Sequence, residues 1–569
     1  MAVLQPIVNI AEICARHGIQ EAVLSPGSRC APITIAFTRH PKIKTRTISD
    51  ERSAAFIGLG MAQFNRTPTV LVCTSGSAAY NYAPAVAEAY FQQVPMIILT
   101  ADRPPEWIDQ LDGQTIRQTN IYNGHVKGSF ELLADQNHTD AESYTYRMVN
   151  EAINLSKSYP PGPVHINIPL REPFYPEHDE EITFDQDVPV FEETIPTPVL
   201  SEKLVSELSN DWNSNQKILM IGGQNDGNQD LNTLLEKVLH QKNIAIVGDV
   251  ISNLHSLEGV IRHHDIFLND RNNVLLESLQ PDLLITFGKS VIAKHLKLFL
   301  RAYKPKAHWH IQEAGQVADT YQSLTKVIRC KPNEFIEHIA LQQNADAFEL
   351  QKQQNYFNLW EIEERKSSRH IETNLPHENW SELNAYNLLM PSIPGDYQLH
   401  LANSMAVRYA NFIGLSTDQS SVSVFANRGT SGIDGSNSSA LGSALASGKP
   451  TLLLTGDMAF FYDRNAFWNN YKYPNLKIVV FNNHGGGIFN MINGPSEQEE
   501  YKEYFETVQP LNAKSVANEF GFEYFQCDTQ RKLKNTIQAF IEVENQPAIL
   551  EIFTDSETNK EALNSFKKM

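Results

Sequence analysis

The sequence reads as an α/β protein built from three doubly wound parallel-sheet domains, and three observations lead there. At 569 residues the chain is too long for one core and suggests three or four domains of roughly 150 residues each. Short apolar runs repeatedly stop at glycine or polar turns and lead into segments that can be helical, the pattern of strands joined by crossover helices. Two stretches break this pattern: the Pro-, Asp- and Glu-rich run from about Glu172 to Pro198, and the Gln- and Glu-rich run from about Ala345 to Pro376. The expected division is a domain at 1–180, a linker at 181–198, a central Rossmann-like domain at 199–345, a helical linker at 346–385 and a last domain at 386–569.

Composition narrows the class of function. Hydrophobic residues make up 41% and charged residues 20%, ordinary for a globular chain. A net charge of −19 argues against a nucleic-acid surface or an anionic membrane as partner. No apolar run approaches the ~20 residues of a membrane span, and Met1 to Gln20 is broken by acidic and polar residues where a signal peptide needs continuity, so a cytoplasmic location is expected. Cys14, Cys30, Cys73, Cys330 and Cys527 show no CxxC spacing, which leaves free thiols rather than a zinc site or a disulfide framework. In so acidic a chain, any local cluster of arginines becomes informative.

In the first domain, the strand Ala22-Val23-Leu24 enters the turn Ser25-Pro26-Gly27-Ser28-Arg29, followed by a helix from about Ile33. Free amides and Arg29 at such a turn suit an anion, although a plain strand-to-helix turn has the same form. Cys30, beside that arginine, is a candidate for a lowered thiol pKa. A strand at Thr45-Arg46-Thr47-Ile48-Ser49 leads into Asp50-Glu51-Arg52, which opens a helix of small residues through Ala54, Ala55, Gly58, Gly60 and Ala62. Glu51 is either a first-turn carboxylate favoured by the helix dipole or a group presented to a ligand. Val70-Leu71-Val72-Cys73 ends at Thr74, and Met96-Ile97-Ile98-Leu99-Thr100 ends at Ala101-Asp102-Arg103-Pro104-Pro105. The segment Gly113-Gln114-Thr115-Ile116-Arg117-Gln118 then offers an amide in Gln114 and a charge in Arg117. Val164 to Ile168 closes the domain as a strand, with His165 read as a core histidine.

The central domain repeats the pattern with strands at Ile218-Leu219-Met220-Ile221, Ile244-Ala245-Ile246-Val247 and Leu283-Leu284-Ile285-Thr286-Phe287. None is followed by a full GxGxxG, so a nicotinamide or flavin dinucleotide is not supported. His263 with His264, and His308 with His310, lack a nearby carboxylate at ligand spacing and read as structural. Lys294 follows a strand end and either reaches a site or stays solvated. The 345–376 run reads as an exposed helix.

In the last domain, Leu399-His400-Leu401 enters Asn403-Ser404-Met405-Ala406-Val407-Arg408, where Ser404 and Arg408 share a helix face. Ser423-Val424-Phe425 enters Asn427-Arg428-Gly429-Thr430-Ser431-Gly432-Ile433-Asp434-Gly435. Thr451 to Leu454 stops at Gly456-Asp457, the segment around Asn465 can be helical, and Leu476 to Phe481 stops at Asn482-Asn483-His484-Gly485-Gly486-Gly487. Parallel strands deliver their carboxyl ends to one edge, so Asp457 and Asn483 can converge there. A carboxylate, an amide oxygen and a glycine-rich backbone suit magnesium on a phosphate ligand, with Gly456 and Gly485 allowing close approach. Two ordinary turns, with Asp457 as a helix cap, would have the same sequence.

An acidic residue after glycine, with Asn-Asn roughly 25 residues on, resembles the diphosphate-binding motif of thiamine diphosphate enzymes. That resemblance implies Mg2+ (or Mn2+) held by Asp457, Asn483 and the Gly485 carbonyl, with Gly456 and Met458 beside the cofactor. It also implies Glu51 at N1′ of the aminopyrimidine, where a carboxyl group lets the 4′-amino group pass through its imino form. The 1–180 domain becomes the pyrimidine-binding domain, and 386–569 the diphosphate- and metal-binding domain. The set Ser25 to Arg29, Ala101 to Pro105, Gln114 with Arg117, Asn403-Ser404 with Arg408, and Asn427 to Gly435 is similar to one branch, the MenD family of menaquinone biosynthesis. Members of that family decarboxylate 2-oxoglutarate on the cofactor and add the succinyl carbanion equivalent to isochorismate.

The resemblance implies catalytic roles for Glu51, Gln114, Ser28 and Arg29. It implies substrate contacts from Arg103, Arg117, Lys294, Ser404, Arg408, Arg428, Ile488 and Phe489, and makes Ile433 the apolar wedge under a bent cofactor. Both substrates are dicarboxylates, and arginine forks recognise carboxylates. Where some members have Lys-Arg in the middle domain, this chain has Lys294-His295, which departs from the pattern at a substrate contact. A homodimer or homotetramer with sites between subunits is implied. The competing readings are another thiamine diphosphate decarboxylase or carboligase of acetolactate synthase type, and a non-catalytic regulatory paralogue.

Overall fold

The fold is described from a computed structural model covering residues 4–136, 138–177, 181–269, 272–342, 347–375, 379–492 and 494–568. The chain divides into two compact units, one of 1–195, 427–449 and 459–476, the other of 196–426, 450–458 and 477–569. The expected boundary at 345/346 and the residues Ala345 and Pro376 lie outside the described residues.

The first unit carries a six-stranded sheet of β1 (Glu21–Leu24), β2 (Lys44–Thr47), β3 (Thr69–Cys73), β4 (Met96–Asp102), β5 (Ser129–Glu131) and β6 (Pro163–Pro169), ordered β2-β1-β3-β4-β6-β5. Every pairing is parallel. The chain goes outward from β1 to β2 and returns to β3, so the β1 and β3 ends flank a switch point, where ligands of such sheets bind. The Glu51–Asn65 helix starts at an N-cap Asp50, whose carboxylate accepts from Arg52 N and Ser53 N. Its small residues serve a helix crossing. A Cβ on Gly60 would lie 2.0 Å from Ser439 O, and one on Gly442 would lie 2.1 Å from Ile57 O, so the Glu51–Asn65 and Ser436–Ser447 helices meet backbone to backbone.

The run from about Glu172 to Pro198, with its expected linker at 181–198, contains no helix or strand where described, and its part up to 195 is tied to this unit. Phe174 and Val188 join its core, and Asn150 Nδ2 donates to Pro189 O at 3.0 Å. His165 is buried, hydrogen-bonded to Thr100 Oγ1 at 2.7 Å, and burial pushes its pKa down to about 3, as suits a neutral core histidine.

The second unit carries two sheets. One contains β7 (Ile218–Gly222), β8 (Ala245–Gly248), β9 (Leu283–Phe287), β10 (Ala307–Ile311) and β11 (Lys326–Ile328) in the order β11-β10-β9-β7-β8. Ile218 and Met220 pack into one core cluster and Leu219 and Ile221 into another, so both faces of β7 are covered. The other contains β12 (Gln398–Leu401), β13 (Ser423–Phe425), β14 (Thr451–Gly456), β15 (Leu476–Asn482), β16 (Glu523–Cys527) and β17 (Ala548–Phe553), ordered β13-β12-β14-β15-β17-β16. Numbered within its own sheet, this order repeats that of the first unit.

The Ala347–Asn374 helix forms as expected but is not simply exposed, because Tyr356 and Trp360 are buried in the core beside β7. The structural histidines also find carboxylates that the sequence keeps far away. His263 Nδ1 meets Glu364 at 2.7 Å, and His264 Nε2 meets Asp249 at 3.2 Å. Among the described residues no helix is long and apolar enough to cross a membrane.

Candidate active site

In the second unit, the edge formed by β14 and β15 gathers the expected metal ligands. β14 and β15 are neighbours, so Asp457, directly after one, and Asn483, directly after the other, emerge side by side. Asp457 Oδ1 accepts from Met458 N at 2.8 Å and Oδ2 from Gln509 Nε2 at 2.9 Å. The Gly485 N–H also faces this carboxylate. Burial raises the Asp457 pKa to about 6, while the Met458, Gln509 and Gly485 hydrogen bonds pull it back. Asp457 is the first residue of the Asp457–Tyr462 helix rather than the cap before it.

The two asparagines divide their roles. Asn482, fully buried, gives Nδ2 to Leu511 O at 3.0 Å and to Glu551 Oε1 at 2.7 Å, tying the strand end into the core. Asn483 is half-buried; its Oδ1 accepts from Gly485 N at 3.2 Å and its Nδ2 donates to Glu382 Oε1 at 2.7 Å. The turn is held from the other side by Gly486 N donating to Glu506 O at 2.7 Å and Gln509 N donating to His484 O at 3.0 Å. Glycine is required at Gly485, where a Cβ would lie 2.7 Å from Glu506 O. At Gly456 a Cβ would meet no protein atom within 4 Å, so that side of the turn is open. The space beside Gly456, and a donor set of one carboxylate, one amide oxygen and a backbone carbonyl, fit a hard divalent cation carrying a phosphate ligand. Ile488 and Phe489 follow on the turn Gly487–Asn490, both half-buried, with Phe489 edge-on to Phe505 at 5.9 Å.

The same unit holds Ser404, Arg408 and Lys294. Ser404 stands at the N-cap position of the Met405–Ile413 helix with a positive φ of 67° and no side-chain capping bond, and its carbonyl accepts from the Arg408 guanidinium. Burial lowers the Arg408 pKa, and Asp265 partly restores it. Lys294 is exposed at the start of the Lys294–Ala302 helix, and His295 beside it pairs with Asp265 at 3.4 Å. Sequence reasoning missed Lys567. Burial lowers its pKa first, Asp265 opposes this, and the charges of Lys294 and Arg408 lower it further, so three cations share this neighbourhood. A lysine two residues from the end of the chain gives no sequence signal for that.

In the first unit, Arg29 is buried, donates to Leu170 O at 2.6 Å and stacks 4.7 Å from the Phe174 ring centroid. Burial lowers its pKa, and the nearby charge of Arg103 lowers it again, so the two expected arginines are brought together. Arg103 donates to Gly113 O at 2.8 Å and pairs with Asp112 at 3.2 Å. Ser28 is exposed, with its hydroxyl 3.2 Å from Tyr175 OH. Arg117 is exposed and pairs with Asp109 at 2.9 Å. Gln114 is exposed with φ of 55°, whereas Gln118 is buried and accepts from Gly76 N at 2.7 Å. Cys30 does not acquire a reactive thiol: burial raises its pKa, and its Sγ lies 3.2 Å from Gly27 O. All five cysteines are free.

Glu51 occupies the first helical position, and because Asp50 does the capping, the Glu51 carboxylate is left to a long 3.4 Å contact with Asn81 Nδ2. The turn bearing Arg428 and Ile433, both half-buried, lies over the same helix. A Cβ on Gly435 would fall 2.2 Å from the Phe56 ring, and φ of +75° there favours glycine as well. Glu88 clamps this turn by accepting from Gly429 N, Thr430 N and Thr430 Oγ1, each at 2.7 Å.

The chain matches three family models: the thiamine pyrophosphate enzyme N-terminal TPP binding domain over residues 9–123, the middle domain over 201–401, and the C-terminal TPP binding domain over 406–552. It is 46% identical over 566 residues, 99% of each chain, to a 2-succinyl-5-enolpyruvyl-6-hydroxy-3-cyclohexene-1-carboxylate synthase of Cytophaga hutchinsonii. Proteins of the same description from Flavobacterium johnsoniae and Bacteroides fragilis are 37% and 36% identical, covering 98% of this chain and 98% and 97% of theirs.

Proposed function

The chain belongs to the 2-succinyl-5-enolpyruvyl-6-hydroxy-3-cyclohexene-1-carboxylate synthases, a family of thiamine diphosphate enzymes, and we infer that it decarboxylates 2-oxoglutarate and adds the succinyl unit to isochorismate in menaquinone biosynthesis. The observation that carries this reading is similarity along the whole chain, 46% over 99% of its length, rather than at isolated motifs. When bound, thiamine diphosphate supplies the electron sink for losing carbon dioxide and forming the new carbon–carbon bond.

The residues divide the work as follows. Asp457, Asn483 and the Gly485 carbonyl would hold Mg2+ or Mn2+, with Gly456 and Met458 beside the bound cofactor. Glu51 would supply a carboxyl group facing the aminopyrimidine of the bound cofactor, and the contact with Asn81, together with capping by Asp50, keeps that carboxyl turned from the helix end. Ile433 would pack against the cofactor. The guanidinium groups of Arg29, Arg103, Arg117, Arg408 and Arg428, with Lys294 and Ser404, bind the substrate carboxylates, and Ile488 and Phe489 line the ring pocket. Ser28 and Gln114 hydrogen-bond the reacting carbonyl and carboxylate oxygens. Asp112 and Asp109, which hold Arg103 and Arg117, are displaced when substrate carboxylates arrive.

We further propose a homodimer or homotetramer in which a second copy completes each site, a cytoplasmic location, and the domain bounds 1–180, 199–345 and 386–569. Incubation with thiamine diphosphate, Mg2+ and both substrates tests the function. Loss of isochorismate absorbance only when 2-oxoglutarate is also present supports it; turnover of pyruvate alone contradicts it.

A further inference from the structure

Two contacts select the same orientation for the Asn483 amide. Its Nδ2 donates to Glu382 Oε1 at 2.7 Å, and its Oδ1 accepts from Gly485 N at 3.2 Å. Turning the amide over would set an oxygen against the carboxyl oxygen and an NH2 group against an N–H, losing both bonds. The third side is closed by Gly487, where a Cβ would lie 2.6 Å from Asn483 Nδ2. An Oδ1 that accepts one N–H keeps a second lone pair for a cation.

Glu382 is built in rather than solvated. It is 4% exposed and begins the Glu382–Leu389 helix, behind the N-cap Ser381. Its backbone N donates to Asn559 Oδ1 at 2.8 Å, Asn559 Nδ2 donates to Thr554 Oγ1 at 3.0 Å, and Thr554 N donates to Asn482 O at 3.1 Å. The Thr554 hydroxyl also bonds the Glu382 carboxyl. The network thus runs from the end of β17 back to the Asn482-Asn483 pair. Burying a carboxyl group is costly, and this one directs its short side-chain bond at a residue assigned to the metal.

We propose that Glu382 is a positioning residue that fixes the Asn483 amide with Oδ1 turned toward the cation beside Asp457. This rests on the reading of Asp457, Asn483 and Gly485 as metal ligands. Groups that orient a metal ligand typically change metal affinity by about 10- to 100-fold when removed.

The test is Mn2+ titration of the full-length protein with thiamine diphosphate present, reading free Mn2+ by its paramagnetic resonance signal, alongside the melting temperature without metal. Glu382→Ala should weaken Mn2+ binding by about 10- to 100-fold. Glu382→Gln, which keeps an acceptor oxygen, should bind close to wild type. Wild-type affinity in a folded Glu382→Ala protein, or equal loss in both variants, overturns the proposal. A lowered metal-free melting temperature with unchanged Mn2+ affinity overturns it too, because that is what a merely structural role produces. If Glu382→Ala does not fold, Gly487→Ala decides by crowding the amide from the opposite side: weakened Mn2+ binding supports the proposal and unchanged binding overturns it. Asp457→Ala separates the two failures. Wild-type Mn2+ affinity in that variant defeats the ligand assignment itself, whereas lost affinity there with none lost in Glu382→Ala defeats only the role of Glu382.

Discussion

Glu51 and Asp50 stand next to each other at one helix start, yet only Asp50 bonds the exposed backbone N–H groups. That division leaves the Glu51 carboxylate uncommitted to the cap, and on the proposed role in proton exchange Glu51→Gln should lower turnover by about 10²- to 10⁴-fold while the folded state survives, as steady-state rates and circular dichroism would record. Asp463 offers a test of electrostatics away from the metal ligands. Its carboxylate is fully buried, accepts from Ser438 N at 2.7 Å and Ser438 Oγ at 2.8 Å, and burial raises its pKa to about 7. A folded-state pKa above the unfolded value means the folded chain keeps a proton that the unfolded chain has already lost. The stabilising contribution is complete below about pH 4 and lost as pH rises through about 7. Asp463→Asn should therefore flatten the fall in melting temperature between these pH values relative to wild type. At this scale the sequence was only partly legible. The Asp457 and Asn483 pair could be read because strand ends announce themselves, but Glu382 looks like any carboxylate opening a helix. Its hydrogen-bond partners Asn483 and Asn559 lie 101 and 177 positions away.

Among the elements, the crossing of the Glu51–Asn65 and Ser436–Ser447 helices carries both Glu51 and the turn of Ile433. Glycines at Gly60 and Gly442 bring the two backbones into contact, and no flexible side chain stands in between to yield. Gly60→Ala should cost about 1–3 kcal/mol or more of unfolding free energy in denaturant titration, since the added methyl can only be accommodated by moving the helices apart. An unchanged denaturation midpoint would mean the helices do not pack this closely. The small-residue run reads from sequence as a helix but does not name its partner, because a run of glycine and alanine states how near a neighbour comes and not which one. Most strands were legible as apolar runs ending at turns. β10 was obscured by His308 and His310, which share the Thr286 hydroxyl at 2.9 Å each, and β16 by an edge position that leaves Glu523 to Gln526 half-exposed or exposed.

At the scale of the whole molecule, a chain of net charge −19 still gathers cations at two places. Burial lowers the Arg29 pKa and the charge of Arg103 adds to this; burial alone lowers that of Arg408; burial and the charges of Lys294 and Arg408 lower that of Lys567. Partly buried cations set beside one another favour an anionic ligand. Arg408→Ala should raise the KM for substrate while leaving thiamine diphosphate affinity near wild type by calorimetry; collapse of cofactor affinity would reverse that assignment of roles. The three-sheet architecture was legible because each βαβ unit has a local signature. The repeated strand order of the first and last sheets was not, since order depends on which strands pair across long crossovers. The most direct test of the proposed reaction is stoichiometric: carbon dioxide released from 2-oxoglutarate measured against isochorismate consumed in the same vessel. The account predicts release and consumption in a one-to-one ratio, each dependent on the other substrate; sustained carbon dioxide release without isochorismate, or consumption of isochorismate without 2-oxoglutarate, would contradict it.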